Sequence, residues 1–287
     1  DEGQTVYVPS IKTKAADAKT KINTSCEDKE ITIIDTVTYK NLHVGETYQV
    51  SGVLMDKSTG KPFLDSKGKE IRSKSESFTP TETDGTVEVR FTFPATGLSG
   101  KSTVVFEDLK QGDVTLCSHA DIEDEAQSVY IPKIGTKATD AKSGKHSVKA
   151  GKVTINDVVK YQNLEKGKTY TLKGTLMDKK TGKAVKVNGK EVTATASFVA
   201  GGDTVSNEKD TVVGDVDKDA AEDAIQKTER VSGEATVTFK FDASGLGGKT
   251  LVAFEHLYEG EAEIANHTDI KDKAQSVDII KVKKPVK

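Results

Sequence analysis

The chain contains the same long unit twice, so its fold must be one that a single unit adopts and the chain repeats. SIKTKAADAK, which begins at Ser10, returns as KIGTKATDAK at Lys133. HADIEDEAQSV at His119 returns as HTDIKDKAQSV at His267. The interval between the landmarks is the length of a domain, which indicates two tandem domains with one fold.

The two copies differ mainly in one place, and the N-terminus carries a further partial repeat. The second copy has an extra tract near 199–232, which we interpret as an insertion. DEGQTVYVPSIKT at the N-terminus matches DEAQSVYIPKIGT at Asp124, so we expect a longer parent array that is cut within a preceding repeat. The predicted divisions are a remnant or linker at 1–9, domain 1 at 10–131, domain 2 at 132–281 and a C-terminal tail at 282–287.

The composition is charged but balanced. There are 42 Lys and Arg against 45 Asp and Glu, and Trp is absent. No apolar run approaches the length that spans a bilayer, and no basic cluster stands out. We therefore expect a soluble extracellular protein that neither binds nucleic acid nor inserts into a membrane.

Each copy is rich in short β-forming segments that turn sequences separate. In the first copy these segments include ITIIDTVTY, TYQVSGVLMD, TVEVRFTF and STVVFEDL, with turns such as KNLHVGE and DKSTGKP between them. Several short strands per unit predict an all-β fold of two β-sandwiches. The extended segment from Tyr130 to Lys133, stiffened by Pro132, would join them as a rod.

Polar residues occupy strand positions that the two-residue period assigns to the apolar face. Asp35, for example, shares a face with Ile33 and Val37. The same parity turns four polar side chains inward in each copy: Thr13, Asp35, Glu107 and Gln127 in the first, and Thr136, Asp157, Glu255 and Gln275 in the second.

Two carboxyl groups in one dry core have chemical consequences. Burial and mutual repulsion raise the pKa of at least one, so the pair can hold or share a proton near neutrality and could polarise an amide. For any one of these residues, a structural hydrogen-bond network is the simpler explanation. The recurrence of all four in both copies favours a chemical role.

The repeated motifs resemble the ester-bond domains of Gram-positive surface adhesins, known as VaFE-type repeats. The resemblance runs through IKTKAAD and IGTKATD, IIDTVTYKNL and INDVVKYQNL, VVFEDL and VAFEHL, and HADIEDEAQSV and HTDIKDKAQSV. It implies two tandem Ig-like (CnaB-like) β-sandwiches, in each of which a Thr hydroxyl attacks a Gln carboxamide, expels ammonia and leaves an ester between the first and last strands. The implied cross-links join Thr13 to Gln127 and Thr136 to Gln275.

Such a reaction needs a group that takes the hydroxyl proton and a group that protonates the leaving nitrogen. A histidine with an acidic partner suits the first role, and the buried carboxyl pair suits the second. The candidate catalytic residues are therefore His119 with Asp124 and Asp35 with Glu107 in domain 1, and His267 with Asp272 and Asp157 with Glu255 in domain 2.

Several alternatives remain open from spacing alone. Thr139 is a rival nucleophile, although its counterpart is Ala16, and Asp121 and Asp269 are rival partners of the histidines. A Lys-Asn isopeptide bond is a further alternative, but the last strands, QSVYI and QSVDI, contain no Asn. The lysines available for it in the first strands are Lys12, Lys14 and Lys137.

The remaining motifs give weaker signals. Cys26 and Cys117 occur only in the first copy and are either a candidate disulfide or two buried thiols. DVDKDAAEDAIQ, from Asp215, matches the first ligand positions of a calcium loop but has Ala220 where Gly is needed and Gln226 where Glu is needed. We expect no metal and no cofactor.

These features predict stalk domains of a cell-wall-anchored adhesin on a Gram-positive surface, with single-turnover cross-linking and no turnover enzyme activity. The expected partners are neighbouring repeats of the same polypeptide and, through a tip domain outside this sequence, a host ligand. We expect a monomer. The alternative function is ligand binding by the domain 2 insertion; a hydrolase that uses Thr, His and Asp on an external substrate is a weaker alternative.

Overall fold

The described part of the chain consists of strands, turns and irregular segments. The computed structural model describes residues 7–27, 29–65, 67–202 and 228–282. Two compact units have their boundary between Pro132 and Lys133, and the predicted all-β class is confirmed. None of the described segments is an apolar helix of the length that crossing a membrane requires.

Domain 1 is built from two antiparallel sheets. One sheet has the order β1-β2-β6, and the other has the order β4-β3-β7-β8, with β5 beside β3 and β9 beside β7. The strands are β1 (Ser10–Asp17), β2 (Glu30–Lys40), β3 (Tyr48–Asp56), β4 (Lys61–Pro62), β5 (Glu76–Phe78), β6 (Gly85–Pro94), β7 (Ser102–Gln111), β8 (Val114–His119) and β9 (Ser128–Tyr130).

Domain 2 repeats this arrangement with a few additions. Its strands are β10 (Lys133–Asp140), β11 (Ser147–Lys149), β12 (Lys152–Glu165), β13 (Thr169–Asp178), β14 (Lys183–Ala184), β15 (Lys186–Val187), β16 (Lys190–Glu191), β17 (Thr193–Val199), β18 (Arg230–Asp242), β19 (Thr250–Glu259), β20 (Ala262–His267) and β21 (Ser276–Ile280). The small sheet is β10-β12-β18, and the large one is β11-β21-β19-β13-β14, with β17 beside β13 and β20 beside β19. Strands β15 and β16 form a separate hairpin.

The core of domain 1 lies between its two sheets because each strand buries every second residue. In β2 the alternation runs from Ile31 to Tyr39, with the residues between them turned outward. Ile33 and Phe91 come from the small sheet and Leu54 from the large one, and all three are fully buried in one cluster. The hydrophobic effect of closing the two faces together therefore fixes which residues point inward.

The first strand and the start of the last strand lie side by side in each domain, although they belong to different sheets. In domain 1 the Ala15 amide donates a hydrogen bond of 2.9 Å to the carbonyl of Ala126. In domain 2 Ala138 donates to Ala274, also at 2.9 Å. These contacts bring the two ends of each domain together beside Gln127 in domain 1 and beside Gln275 in domain 2.

The insertion predicted near 199–232 begins where β17 ends and finishes just after β18 begins. Residues 203–227 lie outside the described part of the chain. That range includes the whole sequence resembling a calcium loop, from Asp215 to Gln226.

The candidate disulfide is not formed, and this is a correction to the sequence interpretation. Cys26 and Cys117 are not bonded. Cys117 lies beside the backbone of Ile11, near the start of β1, whereas Cys26 lines a cavity with Asp17, at the end of β1. A strand rises about 3.3 Å per residue, so the two thiols are separated by roughly 20 Å, far beyond the reach of a disulfide.

Candidate functional site

The four inward-facing polar residues of domain 1 converge between the two sheets. Thr13 comes from β1, Asp35 from β2, Glu107 from β7, and Gln127 from the residue just before β9. Asp35 and Gln127 are 0% exposed, Glu107 is 1% exposed and Thr13 is 8% exposed. The two-residue period of the strands therefore correctly predicted that these four side chains point into the core of domain 1.

The Gln127 carboxamide is held between the hydroxyl and one carboxyl group. Its Nε2 donates hydrogen bonds to Thr13 Oγ1 and, at 2.7 Å, to Glu107 Oε2. Thr13 Oγ1 also donates to Glu107 Oε2 at 3.4 Å. Since the amide carbon is one covalent bond from Nε2, nucleophile and electrophile are neighbours in a core that excludes water.

The two carboxyl groups of domain 1 share an electrostatic environment that favours one proton. Burial, reinforced by the hydrogen bond and charge of Asp35, raises the pKa of Glu107 well above its usual value. Burial also raises the pKa of Asp35, and neighbouring Glu107, Thr13 and His119 partly offset that rise. A hydrogen bond joins the Glu107 and Asp35 carboxyl groups, so one proton can be shared between them.

Domain 2 assembles the same four residue types, and its carboxyl pair is also perturbed. Asp157, Glu255 and Gln275 are 0% exposed, and Thr136 is 8% exposed. Burial, with the charge of Asp157, raises the pKa of Glu255 to about 10. Burial raises the pKa of Asp157 to about 6, although Thr136 and Glu255 act in the opposite direction. Between these two values the pair holds a single proton.

The carboxamide of domain 2 is oriented differently from that of domain 1. Gln275 Nε2 donates at 3.2 Å to the backbone oxygen of His267. A cleft of about 450 Å³ opens beside Thr136, His267 and Asp272. Gly135, where domain 1 has Lys12, forms part of the wall of that cleft.

Each histidine is paired with the aspartate five residues later. His119 Nε2 lies 2.8 Å from Asp124 Oδ2, and His267 Nε2 lies 2.9 Å from Asp272 Oδ2. The second carboxylate oxygen of Asp124 accepts the amide of Ala126 at 2.8 Å, which fixes the loop that presents the glutamine. Across the described residues, neither imidazole is hydrogen-bonded to its threonine hydroxyl.

The rival residues point elsewhere. Asp121 Oδ1 accepts the amide of Glu123, and Asp269 Oδ1 accepts the amide of Lys271, each at 2.9 Å. Thr139 takes an outward position of β10, and three first-strand lysines are exposed: Lys12, Lys14 and Lys137. Within the described ranges no three His, Cys, Asp or Glu side chains are placed to hold a metal ion.

Comparison with known families agrees with this geometry. The family model described as T-Q ester bond containing domain matches residues 9–131 and again residues 132–279. The chain belongs to this family. The prediction of two tandem ester-bond domains is therefore confirmed, while the role of each site residue stays a prediction. No curated protein matches the sequence.

Solved structures similar to this pair of T-Q ester bond domains are distant in sequence. A bacterial adhesin from Mobiluncus mulieris, described as containing intramolecular disulfide, isopeptide and ester bond cross-links, is 15% identical, with 87% of this chain and 80% of that chain covered and a TM-score of 0.39. The C-terminal domain of the Streptococcus agalactiae AgI/II polypeptide BspA is 8% identical, with coverages of 89% and 97% and a TM-score of 0.36. At these scores, neither likeness carries an argument about function.

One glycine in each T-Q ester bond domain lies opposite the buried glutamate, at a position where a side chain does not fit, and sequence analysis missed it. Gly52 in β3 is directly opposite Glu107, and Gly174 in β13 is directly opposite Glu255. A Cβ at Gly52 would lie 2.8 Å from the carbonyl of Phe106. At Gly174 it would overlap the Glu255 carboxyl group and the Phe239 ring. A glycine at the same place in the middle of both strands was the available signal.

The substitution Gly174→Ala should lower the free energy of unfolding of domain 2 by about 1–3 kcal/mol, because the added methyl group forces Glu255 and Phe239 apart. It should also slow cross-linking in that domain. Denaturant unfolding and the fraction of cross-linked protein measure the two effects. Gly245→Ala is the matched control, since its Cβ would meet no atom within 4 Å. Equal behaviour of the two variants would contradict the role assigned to Gly174.

The raised pKa of Glu255 predicts a pH dependence in Thr136→Ala, which cannot form the ester. Its native Glu255 keeps a proton that the unfolded chain releases, so the free energy of unfolding of domain 2 should fall as pH rises from 4.5 to about 10. Asp157 adds to this fall between pH 3.8 and about 6. Denaturant titrations across the range measure it. In the double variant with Glu255→Gln, the free energy of unfolding of domain 2 should no longer fall with pH above about 6. An unchanged pH profile would refute the raised pKa of Glu255.

Proposed function

We propose that this chain is a pair of stalk domains from a surface adhesin of a Gram-positive bacterium, each closed by an intramolecular Thr-Gln ester. The observation that carries this proposal is the buried Gln127 carboxamide hydrogen-bonded to both Thr13 Oγ1 and Glu107 Oε2. Membership of the T-Q ester bond family supports the same chemistry in both domains. Partners along the stalk would be neighbouring repeats.

The ester forms by a balanced acyl transfer. Thr13 Oγ1 attacks the amide carbon of Gln127 and loses its proton, the carbon–nitrogen bond breaks, and the nitrogen leaves as ammonia. Asp35, whose carboxyl group is near enough to the Thr13 hydroxyl for that hydroxyl to lower its pKa, takes the proton from Thr13. Protonated Glu107, which already accepts a hydrogen bond from Nε2, supplies a proton to the departing nitrogen. Thr136, Gln275, Asp157 and Glu255 take the corresponding roles in domain 2.

The histidines act on this reaction through charge. A positive charge on the His119 imidazole favours the ionised form of Asp35 and so opposes the rise of its pKa. Asp124 holds the imidazole in place through a 2.8 Å contact. The sequence interpretation assigned His119 directly to the hydroxyl proton. We assign that proton to Asp35 instead, because the Thr13 hydroxyl is close enough to lower the pKa of the Asp35 carboxyl, whereas no hydrogen bond in the described residues joins His119 to Thr13.

The reaction runs once per domain and converts no external substrate. Nucleophile and electrophile are both parts of the chain, and the four reacting groups of domain 1 are at most 8% exposed. The same burial keeps water away from the product ester. Turnover of added esters or amides would contradict this part of the proposal.

The position of the bond gives it a mechanical role. Thr13 lies in the first strand of domain 1, and Gln127 immediately precedes the last. Tension on the two ends of the domain therefore passes through the ester, and the strands between them carry little load. This arrangement suits a stalk on a cell surface, where force and proteases act together.

Single-molecule stretching tests the mechanical role. In the native chain, domain 1 should not extend before the tether fails. In Thr13→Ala, unfolding of domain 1 should release the chain between Thr13 and Gln127, which are 114 positions apart. At about 3.5 Å per residue this is roughly 400 Å of extension. Thr13→Ser, which keeps a hydroxyl, is the control. An unfolding step of that length in the native chain would refute the proposed role.

A further inference from the structure

Domain 2 contains a groove of about 750 Å³ whose lining shares no residue with the ester site. It lies between the turn after β10, strand β11 and the start of β12. Four lysines line it, and all four are exposed: Lys142, Lys145, Lys149 and Lys152. All four come from one short stretch of the sequence, between residues 142 and 152.

The lysines outnumber the carboxylates in the lining of this groove. Within the described ranges, none of the four ammonium groups forms an ion pair with a carboxylate. The acidic residue in the wall, Asp140, is already engaged, since its Oδ2 accepts hydrogen bonds from the amide and hydroxyl of Ser143 at 2.9 and 2.6 Å. Asp242 pairs with Lys152 in the strand register, and hydrogen bonds from Ser244, together with the charge of Lys152, lower the pKa of Asp242. Asp140 and Asp242 keep their negative charges, but the four lysines outnumber them and leave the groove with a net positive charge.

The floor of the groove is apolar. Val148, Val153 and Ile280 contribute to its lining, and Ile280 is 47% exposed. A compact inorganic anion would use the lysines alone. A sugar chain can place its charged groups near the ammonium groups while the C–H faces of its rings cover the apolar floor.

Domain 1 provides an internal comparison, because its corresponding cavity has a different charge. That cavity has a volume of about 240 Å³ and is lined by Asp17, Lys19 and Glu30. Glu30 is the first residue of β2, and Lys152 is the first residue of β12. The same strand position therefore carries a negative charge in domain 1 and a positive charge in domain 2. The positive groove is thus a feature of domain 2 rather than of the fold.

We propose that the lysine-lined groove of domain 2 binds an anionic polysaccharide chain. The ammonium groups contact its sulfate or carboxylate groups, and the apolar floor contacts its rings. This surface differs from the insertion near 199–232 and does not depend on ester formation. It would let a stalk domain hold an extracellular polysaccharide alongside its mechanical role.

Binding of a heparin oligosaccharide to the whole chain, measured by calorimetry at low and physiological salt, tests this proposal. Lys149→Glu with Lys152→Glu should weaken binding at least 10-fold, and binding should weaken as salt rises. Lys183→Glu with Lys190→Glu, two exposed lysines outside the groove, changes the net charge equally and should leave the affinity within 2-fold. Unfolding curves of both variants establish that they fold.

Three results would overturn the proposal. The first is equal affinity of the two double variants, which would mean that net charge alone governs binding. The second is competition by inorganic sulfate at the same charge concentration, which would reveal a site for simple anions. The third is equally tight, groove-dependent binding of a single-stranded oligonucleotide, which would assign the surface to a different polyanion.

Discussion

Thr13→Ala should lower the midpoint of thermal unfolding of domain 1 by roughly 20 °C. The proposed ester links residues separated by 114 positions. Closing a loop of that size removes unfolded-state entropy worth about 5 kcal/mol, and for a domain of this length each kcal/mol shifts the midpoint by about 4 °C. Calorimetry on the whole chain measures the shift, with domain 2 as the internal reference.

The control for this prediction is Thr13→Ser, which keeps the nucleophilic oxygen and should keep most of the stability. If Thr13 were not cross-linked, Thr13→Ala would lose only the contacts of its methyl and hydroxyl groups. That loss would lower the free energy of unfolding by about 1–2 kcal/mol and the midpoint by a few degrees. A shift of that small size in Thr13→Ala would mean that no covalent link has been lost. The stability argument for domain 1 would then fail.

Glu107→Gln should slow ester formation in domain 1 at least 100-fold, and Glu255→Gln should do the same in domain 2. The substitution keeps the shape of the side chain but removes the proton that the departing nitrogen needs, and general acid catalysis typically contributes 100-fold to 10,000-fold. The raised pKa of both glutamates keeps that proton available at neutral pH. The loss of ammonia, followed by mass spectrometry after synthesis, measures the rate.

Each variant has its control in the same molecule, because the unsubstituted domain should react at its normal rate. Glu88→Gln, which alters an exposed glutamate in the ion pair with Arg90, should leave both rates unchanged. Complete cross-linking of domain 1 in fresh Glu107→Gln protein would show that another group protonates the nitrogen. The proposed roles of Asp35 as proton acceptor and Glu107 as proton donor would then be wrong.

Much of the site was predictable because a strand has a fixed two-residue period. Once Ile33 and Val37 are assigned to the core, Asp35 must point there too, and the same reasoning applies to Thr13 and Gln127. The repeat adds weight, since a polar residue that recurs in two copies at one buried position is under a common constraint. Fold class and buried polar residues followed from these two rules.

Other features depend on contacts between strands that are distant in sequence, and a single strand does not encode them. A glycine is needed at position 52 because a Cβ there would meet the Phe91 ring and the Phe106 carbonyl oxygen, which become its neighbours only when β3, β6 and β7 come together in the fold. The separation of Cys26 from Cys117 follows from their positions at opposite ends of β1. The orientation of His119 toward Asp124 depends on how the loop before β9 folds back.

The mass of the intact chain is the most direct test of the central claim. The native protein should be lighter than its sequence by two molecules of ammonia, Thr13→Ala and Thr136→Ala should each recover one of them, and the double variant should have the full sequence mass. Digestion should yield a peptide containing Thr13 joined to one containing Gln127. A native mass equal to that of the sequence, or a deficit that persists in the double variant, would contradict the account.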